Sequence, residues 1–551
     1  MTRRGHDPEI APDEIFLDAS NLPDFDPGRL EGRLERPLSK RSAIGVTLAA
    51  LAMFLLFAGQ AWSLQVTNGE AYALQSERNR LRPEILFAER GAVLDRNGTV
   101  LIANEEGDDG VLRRVYAEGG VSQVLGYVSY PKKDSSGNYY DTDIIGLAGA
   151  EASFDGIVSG ENGLLLIEED ALGNIRSKGT VVPPENGTTL ELAIDVRAER
   201  AFSRAIAELA EQVPFGGGAG VLMDVETGEV HALVSYPLYD SNVLSSGNPA
   251  ATIASYLEDP REPYLNRAVA GLYAPGSIVK TIVAAGALTD NIITPDSVIV
   301  STGSISVPNP YDPEHPTVFP DWKPLGPLDL RGALAMSSDV YFYTVGGGFG
   351  TQKGLGIDRL AYWYRTFGLG EETGIELPSE ATGFIPTPAW KEETYDEIWR
   401  IGNTYHTAIG QYAMQITPIA AARAVAAVAN GGKLVRPTLR KDAPLSGESI
   451  PVDSDALRVV REGMRQGVTN GTVTGLSLPF VSIAAKTGTA QVGARNEYVN
   501  SWVTGFFPYE HPRYAFVIVM DRGPAGNLIG GVYAARQALE ELSITAPEYF
   551  E

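Results

Sequence analysis

One long apolar run near the N-terminus separates this chain into parts that must occupy different surroundings. The run extends from Ala43 to Leu64, which is just long enough to cross a bilayer as a single helix. Several basic residues precede it, and none follows before Arg78. Because positive charge is retained on the cytoplasmic side, we predict a transmembrane signal-anchor over residues 42–64, a cytoplasmic N-terminus and an extracytoplasmic remainder.

Residues 1–41, ahead of the run, mix acidic and basic side chains with prolines and show little apolar periodicity. That composition predicts a disordered leader, and a buried core helix would not be bracketed by such a segment. A cleaved signal peptide is the stronger alternative, since Gly59-Gln60-Ala61 has the small-x-small pattern of a cleavage site. The leader is much longer than the n-region of a signal peptide, which favours a retained anchor.

The overall composition argues against several classes of function. The 551 residues exceed what one hydrophobic core organises, so two or more domains are expected. A net charge of −25 argues against a nucleic-acid partner. The chain has no cysteine and five scattered histidines, which excludes thiolate metal sites and argues against a histidine-built zinc site or a Ser-His-Asp triad. We therefore expect no metal and no other cofactor.

A glycine cluster at residues 216–218 marks the boundary between two extracytoplasmic domains, residues 65–214 and residues 215–551. The residue patterns of the first domain predict a helix over Glu70–Arg82, a hairpin turning at Asn97-Gly98, a strand over Thr189–Ile194 and an amphipathic helix over Val196–Gln212.

The second domain begins and ends with predicted strands. These are a hairpin of Ala219–Met223 with Val230–Ser235, then Val481–Ala485, Trp502–Phe507 and Tyr514–Met520, with a closing helix over Val532–Leu542. The residues between them are mostly helical and include an apolar stretch at Ala333–Tyr343. Strands from distant segments around a helical middle predict one sheet in an α+β domain.

Ser277 and Lys280 are spaced so that they can form a nucleophile and its base without a histidine. Positions i and i+3 share a helix face, and Pro275-Gly276 followed by an apolar run predicts a buried helix that begins at Ser277. The amine of Lys280 would then point back towards the hydroxyl. A second pair with this spacing, Ser129 and Lys132, encloses a proline, which argues against a helix there.

Two further motifs follow in order along the chain. In Ser337-Ser338-Asp339 the first serine ends a predicted apolar helix, and in Lys486-Thr487-Gly488-Thr489 the lysine ends a predicted apolar strand. Taken alone, the first could be a helix cap and the second a strand end leading into a turn. Together with Ser277 and Lys280, in this order, they are typical of the active-site serine proteins that react with penicillin.

With these motifs the chain resembles the class B penicillin-binding proteins, the monofunctional D,D-transpeptidases. Further marks of the resemblance are Arg90-Gly91, Gly146-x-x-Gly149-x-Glu151, Asn266-Arg267-Ala268, Tyr273-x-Pro-Gly-Ser277, Gly410-Gln411 and Trp502-Val-Thr-Gly505-Phe506. Asp321-Trp322-Lys323 and Gly356-Ile-Asp358 look most like the elongation-type penicillin-binding protein 2. A class A enzyme would need a glycosyltransferase domain, for which the residues between the anchor and Gly216 leave no room.

The resemblance implies an elongated, β-rich pedestal (dimerisation) domain over residues 65–214. It further implies a penicillin-binding, β-lactamase-like transpeptidase domain over residues 215–551, in which helices flank an antiparallel sheet. In that domain Ser277 would attack the penultimate D-Ala carbonyl of a stem peptide, with Lys280 as its base. The second cation, Lys486, would lower the pKa of Lys280, and Ser337 would relay the proton to the leaving amine.

The resemblance also implies the substrate-binding groups. The backbone N–H groups of Ser277 and Thr489 would form the oxyanion hole, and Thr487, Gly488 and Thr489 would bind the terminal carboxylate of the donor peptide. Asp339 stands where the family usually has asparagine. A carboxylate cannot donate to a substrate carbonyl as an amide does, and it could instead accept from the amine of Lys280, so its role is the open assignment.

The implied function is the cross-linking of D-Ala-D-Ala stem peptides in peptidoglycan, with covalent inhibition by β-lactams and a D,D-carboxypeptidase side activity. The implied setting is a bacterial cell membrane, with a RodA-type glycan polymerase and other elongation-complex proteins as partners. A division-type class B protein and a β-lactamase or β-lactam sensor stay open as alternatives. Some elongation-type members carry a metal near the second motif, but the single nearby His315 and the lack of cysteine argue against one here.

Overall fold

The computed structural model describes residues 39–78, 81–107, 112–117, 120–169, 174–309, 312, 314–527 and 529–551. The predicted disordered leader, residues 1–41, therefore lies outside the described residues except for its last three. The chain divides into two units: Met1–Arg82 with Ile167–Lys178, and Pro83–Leu166 with Gly179–Glu551. The strands Leu81–Leu86, Gly163–Glu169 and Ile175–Val182 include residues of both units.

The first unit contains the predicted membrane-crossing helix. This helix runs over Lys40–Trp62, begins at a cap in which the Ser39 hydroxyl accepts from the Ser42 N–H, and continues as a π-helical turn over Ser63–Thr67. By length and composition it is the one described helix that could cross a membrane, and it is exposed throughout. A second helix covers Gly69–Arg78, and residues 81 and 82, predicted as its end, belong to the strand Leu81–Leu86.

The pedestal part of the second unit is built on a four-stranded sheet, in which the short strand Leu190–Glu191 pairs in parallel with Val93–Leu94. The predicted hairpin at Asn97-Gly98 is confirmed, with Val100–Glu106 as its returning strand. The Asp95 carboxylate accepts from two N–H groups of this turn, both at 2.8 Å. The predicted strand over Thr189–Ile194 is shorter in the structure, where it covers Leu190–Glu191.

The other pedestal elements are short. The strands are Leu112–Tyr116, Val128–Ser129, Lys132–Lys133, Tyr139–Asp141 and Ile145–Gly146, and the helices are Ser122–Leu125, Gly149–Ser153 and Asp155–Val158. A buried ion network joins them, in which the Glu151 carboxylate accepts from the guanidinium groups of Arg90 and Arg114 at 2.7 Å each. Because each buried charge has a partner, this network can sit in the interior.

The part of the second unit that follows residue 215 is organised around one antiparallel sheet, as predicted. Its strands are β1 (Gly217–Asp224), β2 (Val230–Tyr236), β3 (Ala484–Val492), β4 (Tyr498–Phe507) and β5 (Tyr514–Pro524). Their order across the sheet is β2-β1-β5-β4-β3, so the first hairpin of the domain pairs with strands almost 300 residues later in the chain. The α+β fold class is therefore confirmed.

Side chains on the two faces of this sheet enter separate cores. On β1, Val221 and Met223 enter one core and Leu222 enters the other, as the alternation along a strand requires. The helices Val196–Gln212 and Gly531–Thr545 cover the Leu222 face, and the apolar helix Pro418–Ala429 packs on the opposite face. The sheet is thus buried on both sides, which fixes the position of its edge strand, β3.

The remaining elements form the helical middle of the domain and its small sheets. The helices are Ser241–Ser246, Ala250–Glu258, Lys280–Thr289, Leu330–Met336, Asp339–Gly347, Gly356–Thr366, Pro388–Tyr395, Ile401–Ala408 and Ser454–Asn470, with 3-10 turns at Gly276–Val279, Thr474–Leu476 and Pro547–Tyr549. The strands are Ile299–Ser301, Ser304–Val307, Thr317–Pro320, Gly326–Leu328, Lys433–Val435 and Gly447–Ser449.

Candidate active site

Ser277 lies in the first turn of a buried apolar helix, as predicted, but this turn is a 3-10 turn. A 3-10 turn spans Gly276–Val279, and the buried α-helix begins one residue later, at Lys280. Gly276 has a φ of +57°, and a Cβ atom there would lie 2.9 Å from the Thr489 carbonyl oxygen. The turn is therefore pressed against strand β3, which only glycine permits at this position.

The amine of Lys280 is held by the second motif. Its Nζ atom lies 2.6 Å from Asp339 Oδ1, 2.8 Å from the Ser337 carbonyl oxygen and 3.5 Å from Ser337 Oγ. The side chain is fully buried, whereas that of Asp339 is 22% exposed. Among the described residues no hydrogen bond joins Lys280 to Ser277, so the prediction that the amine faces this hydroxyl was wrong. The alternative that Asp339 accepts from the amine is confirmed.

Ser337 ends an apolar helix, as predicted. The helix Leu330–Met336 ends there because Ser337 adopts a left-handed backbone with a φ of +57°. Ser338 then caps the next helix, accepting from the Tyr341 N–H. This reversal directs the Ser337 hydroxyl and the Asp339 carboxylate towards the two lysines.

Asp321 organises this turn, and the sequence identified it only as a family mark. Its buried carboxylate accepts from the Ser338 hydroxyl at 2.6 Å and from the Ser301 hydroxyl at 2.9 Å. It also accepts from three backbone N–H groups, those of Trp322, Asp339 and Val340. A carboxylate has about four lone-pair sites, so Asp321 is fully used as a structural anchor.

Lys486 lies inside strand β3. The strand starts at Ala484 and continues to Val492, so the prediction that a strand over Val481–Ala485 ends at the third motif was wrong. Lys486 Nζ is 2.8 Å from Ser337 Oγ and 2.9 Å from the Thr487 carbonyl oxygen. Burial lowers the pKa of this amine well below its usual value, and the nearby charge of Lys280 lowers it further.

Gly488 lets β3 lie directly against the turn that carries Ser277. A Cβ atom at Gly488 would come within 2.6 Å of the Pro275 carbonyl oxygen and 2.9 Å of the Ile278 side chain. On the same side of the sheet, the indole N–H of Trp502 donates to the Ala274 carbonyl at 2.9 Å. The close contact brings the backbone of Thr489 alongside the backbone of Ser277.

A cleft of about 840 Å³ opens over these residues. Five of the predicted site residues line it: Ser277, Ser337, Asp339, Thr487 and Thr489. Lys280 and Lys486 are buried beneath its floor. The competing pair is elsewhere, because Ser129 and Lys132 lie on separate two-residue strands of the pedestal, which confirms that no helix joins them.

The cleft also contains residues that the sequence did not assign to the site, although three of them, Asp321, Trp322 and Gln411, belong to motifs named above. The full set is Pro320, Asp321, Trp322, Tyr343, His406, Ile409, Gln411, Tyr412, Thr472, Gln491 and Asn496. The Gly410-Gln411 motif was a usable signal, because Gly410 accepts a hydrogen bond from the Gly276 N–H at 2.9 Å. Burial lowers the pKa of His406, and the charge of Asp339 acts in the opposite direction.

No cluster of three potential metal-ligating side chains occurs within the described ranges. His315 is exposed and pairs with Asp312 at 3.0 Å.

Comparison with known proteins identifies this arrangement. The family model of the penicillin-binding protein transpeptidase domain matches residues 218–540, more than half of the chain. The chain belongs to this family. A second model, the penicillin-binding protein dimerisation domain, matches residues 110–192. The two family models therefore match part of the pedestal and most of the domain that holds the cleft.

Curated members of the family align along most of the chain. Peptidoglycan D,D-transpeptidase MrdA of Acinetobacter baumannii is 32% identical over 449 residues, which are 76% of this chain and 64% of that protein. MrdA of Escherichia coli K12 is 31% identical over 477 residues, 79% of this chain and 72% of that protein. FtsI of the same strain is 28% identical over 435 residues, 77% of this chain and 65% of that protein. The chain thus spans about two thirds of the length of these relatives.

Solved structures of the family have the same fold. A chain from a peptidoglycan synthase complex that coordinates polymerisation and crosslinking superposes with a TM-score of 0.71 at 28% identity, over 92% of this chain and 98% of that one. The penicillin-binding protein PBP2 of Helicobacter pylori, solved with MreC, gives 0.69 at 27% identity, over 85% of this chain and 99% of that one. These likenesses confirm the predicted fold class.

Proposed function

We propose that this chain is a serine D,D-transpeptidase that cross-links peptidoglycan stem peptides through an acyl-enzyme on Ser277. The observation that carries the proposal is the convergence of three distant motifs on one cleft, in which both buried lysines contact Ser337. The family membership supports the reaction class, and the curated D,D-transpeptidases that align with the chain support the substrate class.

In the proposed reaction Ser277 Oγ attacks the penultimate D-Ala carbonyl of a donor stem peptide. A backbone N–H at the start of the Ser277 turn and that of Thr489 on β3 stabilise the oxyanion. Lys280, Ser337 and Lys486 carry the proton that Ser277 loses, and return it to the leaving D-Ala amine. The amine of a second stem peptide then resolves the acyl-enzyme, and water would give the D,D-carboxypeptidase side reaction.

Strand β3 supplies the binding edge for the donor peptide. The hydroxyls of Thr487 and Thr489 face the cleft, and Thr487 Oγ1 is already positioned by Thr472 Oγ1 at 2.9 Å. We assign these hydroxyls, with the backbone of Gly488, to the terminal carboxylate of the donor. A β-lactam would enter by the same route, since it resembles the acyl-donor end of the stem peptide.

The proposed setting is a bacterial cell membrane. The helix Lys40–Trp62 would anchor the chain with its N-terminus in the cytoplasm, as the basic residues before it favour. Relatives solved within a peptidoglycan synthase complex and with MreC support a polymerase of the RodA type and elongation-complex proteins as partners. The chain is 32% identical to MrdA of Acinetobacter baumannii and 28% identical to FtsI of Escherichia coli. The higher identity to MrdA favours a role in elongation over one in division.

The proposal is tested with glycan strands that carry pentapeptide stems. Wild type, Ser277→Ala and Ser129→Ala are incubated with them, and cross-linked muropeptides and free D-Ala are measured. We expect Ser277→Ala to form neither product and Ser129→Ala to match wild type, because Ser277 lines the cleft and Ser129 lies on a strand of the pedestal. Cross-links formed by Ser277→Ala, or rapid turnover of penicillin by wild type, would overturn the transpeptidase assignment.

A side chain at position 488 gives a second test of the site, because Gly488 lies in close contact with the Ser277 turn. Gly488→Ala is expected to push β3 away from the Ser277 turn and to slow acylation by penicillin about 100-fold, since misplacement by about 1 Å costs that much. Gly526→Ala is the matched control, because a Cβ atom there meets nothing within 4 Å. The acylation rate is measured by stopped-flow mixing with a fluorescent penicillin. Equal rates in both variants would contradict the claim that acylation depends on the close contact between Gly488 and the Ser277 turn.

A further inference from the structure

Five aromatic side chains form a continuous surface that reaches the cleft at one end. This aromatic platform consists of Phe384, Trp390, Tyr395, Trp399 and Tyr412. Neighbouring ring centroids lie 4.9 to 6.3 Å apart, and the rings pack edge to face at interplanar angles of 64° to 88°. Tyr412 lines the cleft together with Ser277, whereas Tyr395 is 58% exposed. The platform therefore leads from the cleft to the outer surface.

The backbone near Tyr412 is constrained to keep this ring in place. Tyr412 and Ala413 both have left-handed backbones, with φ values of +59° and +56°, which residues with a side chain rarely adopt. The next residues pair with the segment that contains Phe384: the Phe384 N–H donates to the Gln415 carbonyl at 2.7 Å, and the Gln415 N–H donates back at 3.0 Å. Strain of this kind is concentrated at functional sites, so the position of Tyr412 points to a role beyond packing.

Polar contacts fix the outer half of the platform. The amine of the buried Lys391 donates to the Ile398 carbonyl at 3.1 Å and pairs with Glu397 at 2.9 Å. The indole N–H of Trp399 donates to the Thr404 hydroxyl at 2.8 Å. The loop between the two indoles is thereby tied down. A surface that is ordered before binding loses less entropy when a ligand binds to it.

The charges beside the platform limit what it can bind. The exposed residues of this loop include four carboxylates and one arginine, namely Glu392, Glu393, Asp396, Glu397 and Arg400. Carboxylates accept hydrogen bonds from hydroxyl and amide donors, and an acidic surface repels anions such as nucleic acids or acidic lipids. The faces of aromatic rings are negative and attract C–H groups that point at them. Rings and carboxylates together suit a neutral sugar chain.

We propose that the aromatic platform binds the glycan strand of peptidoglycan and thereby directs its stem peptides into the cleft. This inference rests on the proposed transpeptidase function and deepens it. A pentapeptide stem reacts at its fourth residue, and its first residue is attached to the sugar. Four extended residues span at most about 14 Å, so the strand has to lie close to the mouth of the cleft. The platform meets this requirement because it begins at Tyr412.

The platform gives the protein a means to prefer stems on polymerised glycan over free peptides. Contacts with the sugars lie away from the reacting carbonyl, so they add binding energy without changing the chemical step. A strand that is held by its sugars also keeps its stems at a high local concentration near Ser277. The platform residues are thus substrate-positioning residues, and the reacting groups are those of the cleft.

Glycan strands from which an amidase has removed the stems test the platform without any reaction. The full chain in detergent is treated with penicillin, which occupies the cleft, and fluorescently labelled strands are titrated by anisotropy. We expect Tyr395→Ala to weaken binding about 10-fold, the contribution of one aromatic contact, and Tyr395→Phe, which keeps the ring, to bind as wild type does. Tyr140→Ala is the matched control, since Tyr140 is 67% exposed on a strand of the pedestal.

Two results of the titration would overturn the proposal. One is equal binding by wild type, Tyr395→Ala and Tyr140→Ala. The other is no binding of the strands by wild type, which would leave the platform as a surface for a protein partner. Melting temperatures of the variants show that each is folded.

The kinetics of cross-linking give a second readout. With strands that carry pentapeptide stems, Tyr395→Ala should raise KM about 10-fold and keep kcat, because it removes binding that is equal in the ground state and the transition state. A lowered kcat at unchanged KM would contradict the positioning role. If wild type formed no cross-links and no penicillin adduct, the proposed function would be refuted, and the titration with stem-free strands would still decide whether the platform binds glycan.

Discussion

Asp321→Ala is expected to destabilise the domain by about 3 kcal/mol or more and to remove most of the reaction with penicillin. The Asp321 carboxylate accepts five hydrogen bonds, three of them from backbone N–H groups, of which those of Asp339 and Val340 follow Ser337 directly. Each buried donor left without a partner costs about 1–3 kcal/mol. The two hydroxyl donors can rotate to other partners, but the N–H groups cannot.

The measurement is a thermal unfolding curve together with the acylation rate. Asp312→Ala, at an exposed aspartate of the same loop region that pairs with an exposed histidine, is the matched control and should change neither. If Asp321→Ala kept both the melting temperature and the acylation rate of wild type, Asp321 would not be the anchor of this turn.

Glu199→Gln is expected to stabilise the protein at alkaline pH and to change little under acidic conditions. Glu199 is fully buried on the helix Val196–Gln212. One carboxyl oxygen accepts from the Leu233 N–H at 2.7 Å, and the other has no partner. Burial raises the pKa of this carboxyl to about 8, so the folded state binds a proton that the unfolded state has already lost at neutral pH.

The sign of the effect follows from that difference. A group whose pKa is raised by folding contributes its stability in full below its unfolded pKa of 4.5 and loses it as the pH rises towards 8. Above pH 8 the wild type carries a penalty of up to about 5 kcal/mol, which an uncharged glutamine does not. Melting temperatures at pH 5 and pH 9 measure it, with the exposed Glu208→Gln as control. If the melting temperature of Glu199→Gln depended on pH as that of wild type does, Glu199 would not be the source of the penalty at alkaline pH.

Local sequence patterns predicted the elements that depend on local forces. The hairpin at Asn97-Gly98 and the paired strands β1 and β2 follow from turn residues and alternation. Elements that depend on tertiary contacts were predicted less well. Residues Lys486 to Gln491 belong to β3 because they pair with β4, although a glycine in their middle lowers strand propensity.

The candidate site shows the same division. Spacing along the chain placed Lys280 one turn after Ser277, and the chemistry of a carboxylate at position 339 suggested that Asp339 could accept from its amine, which the structure confirms. The end of the apolar helix at Ser337 was predicted, but not the hydrogen bond that the following residue, Ser338, donates to Asp321, 17 residues before it. Both contacts are long-range and polar, and neither changes the apolar periodicity from which helices are predicted.

The central claim is that Ser277 is the nucleophile of a penicillin-reactive transpeptidase. The most direct test is peptide mapping by mass spectrometry after the protein has reacted with penicillin. We predict one adduct, on the peptide that contains Ser277, and none in Ser277→Ala. An adduct on Ser129 or Ser337 in wild type, or any covalent adduct retained by Ser277→Ala, would contradict the account.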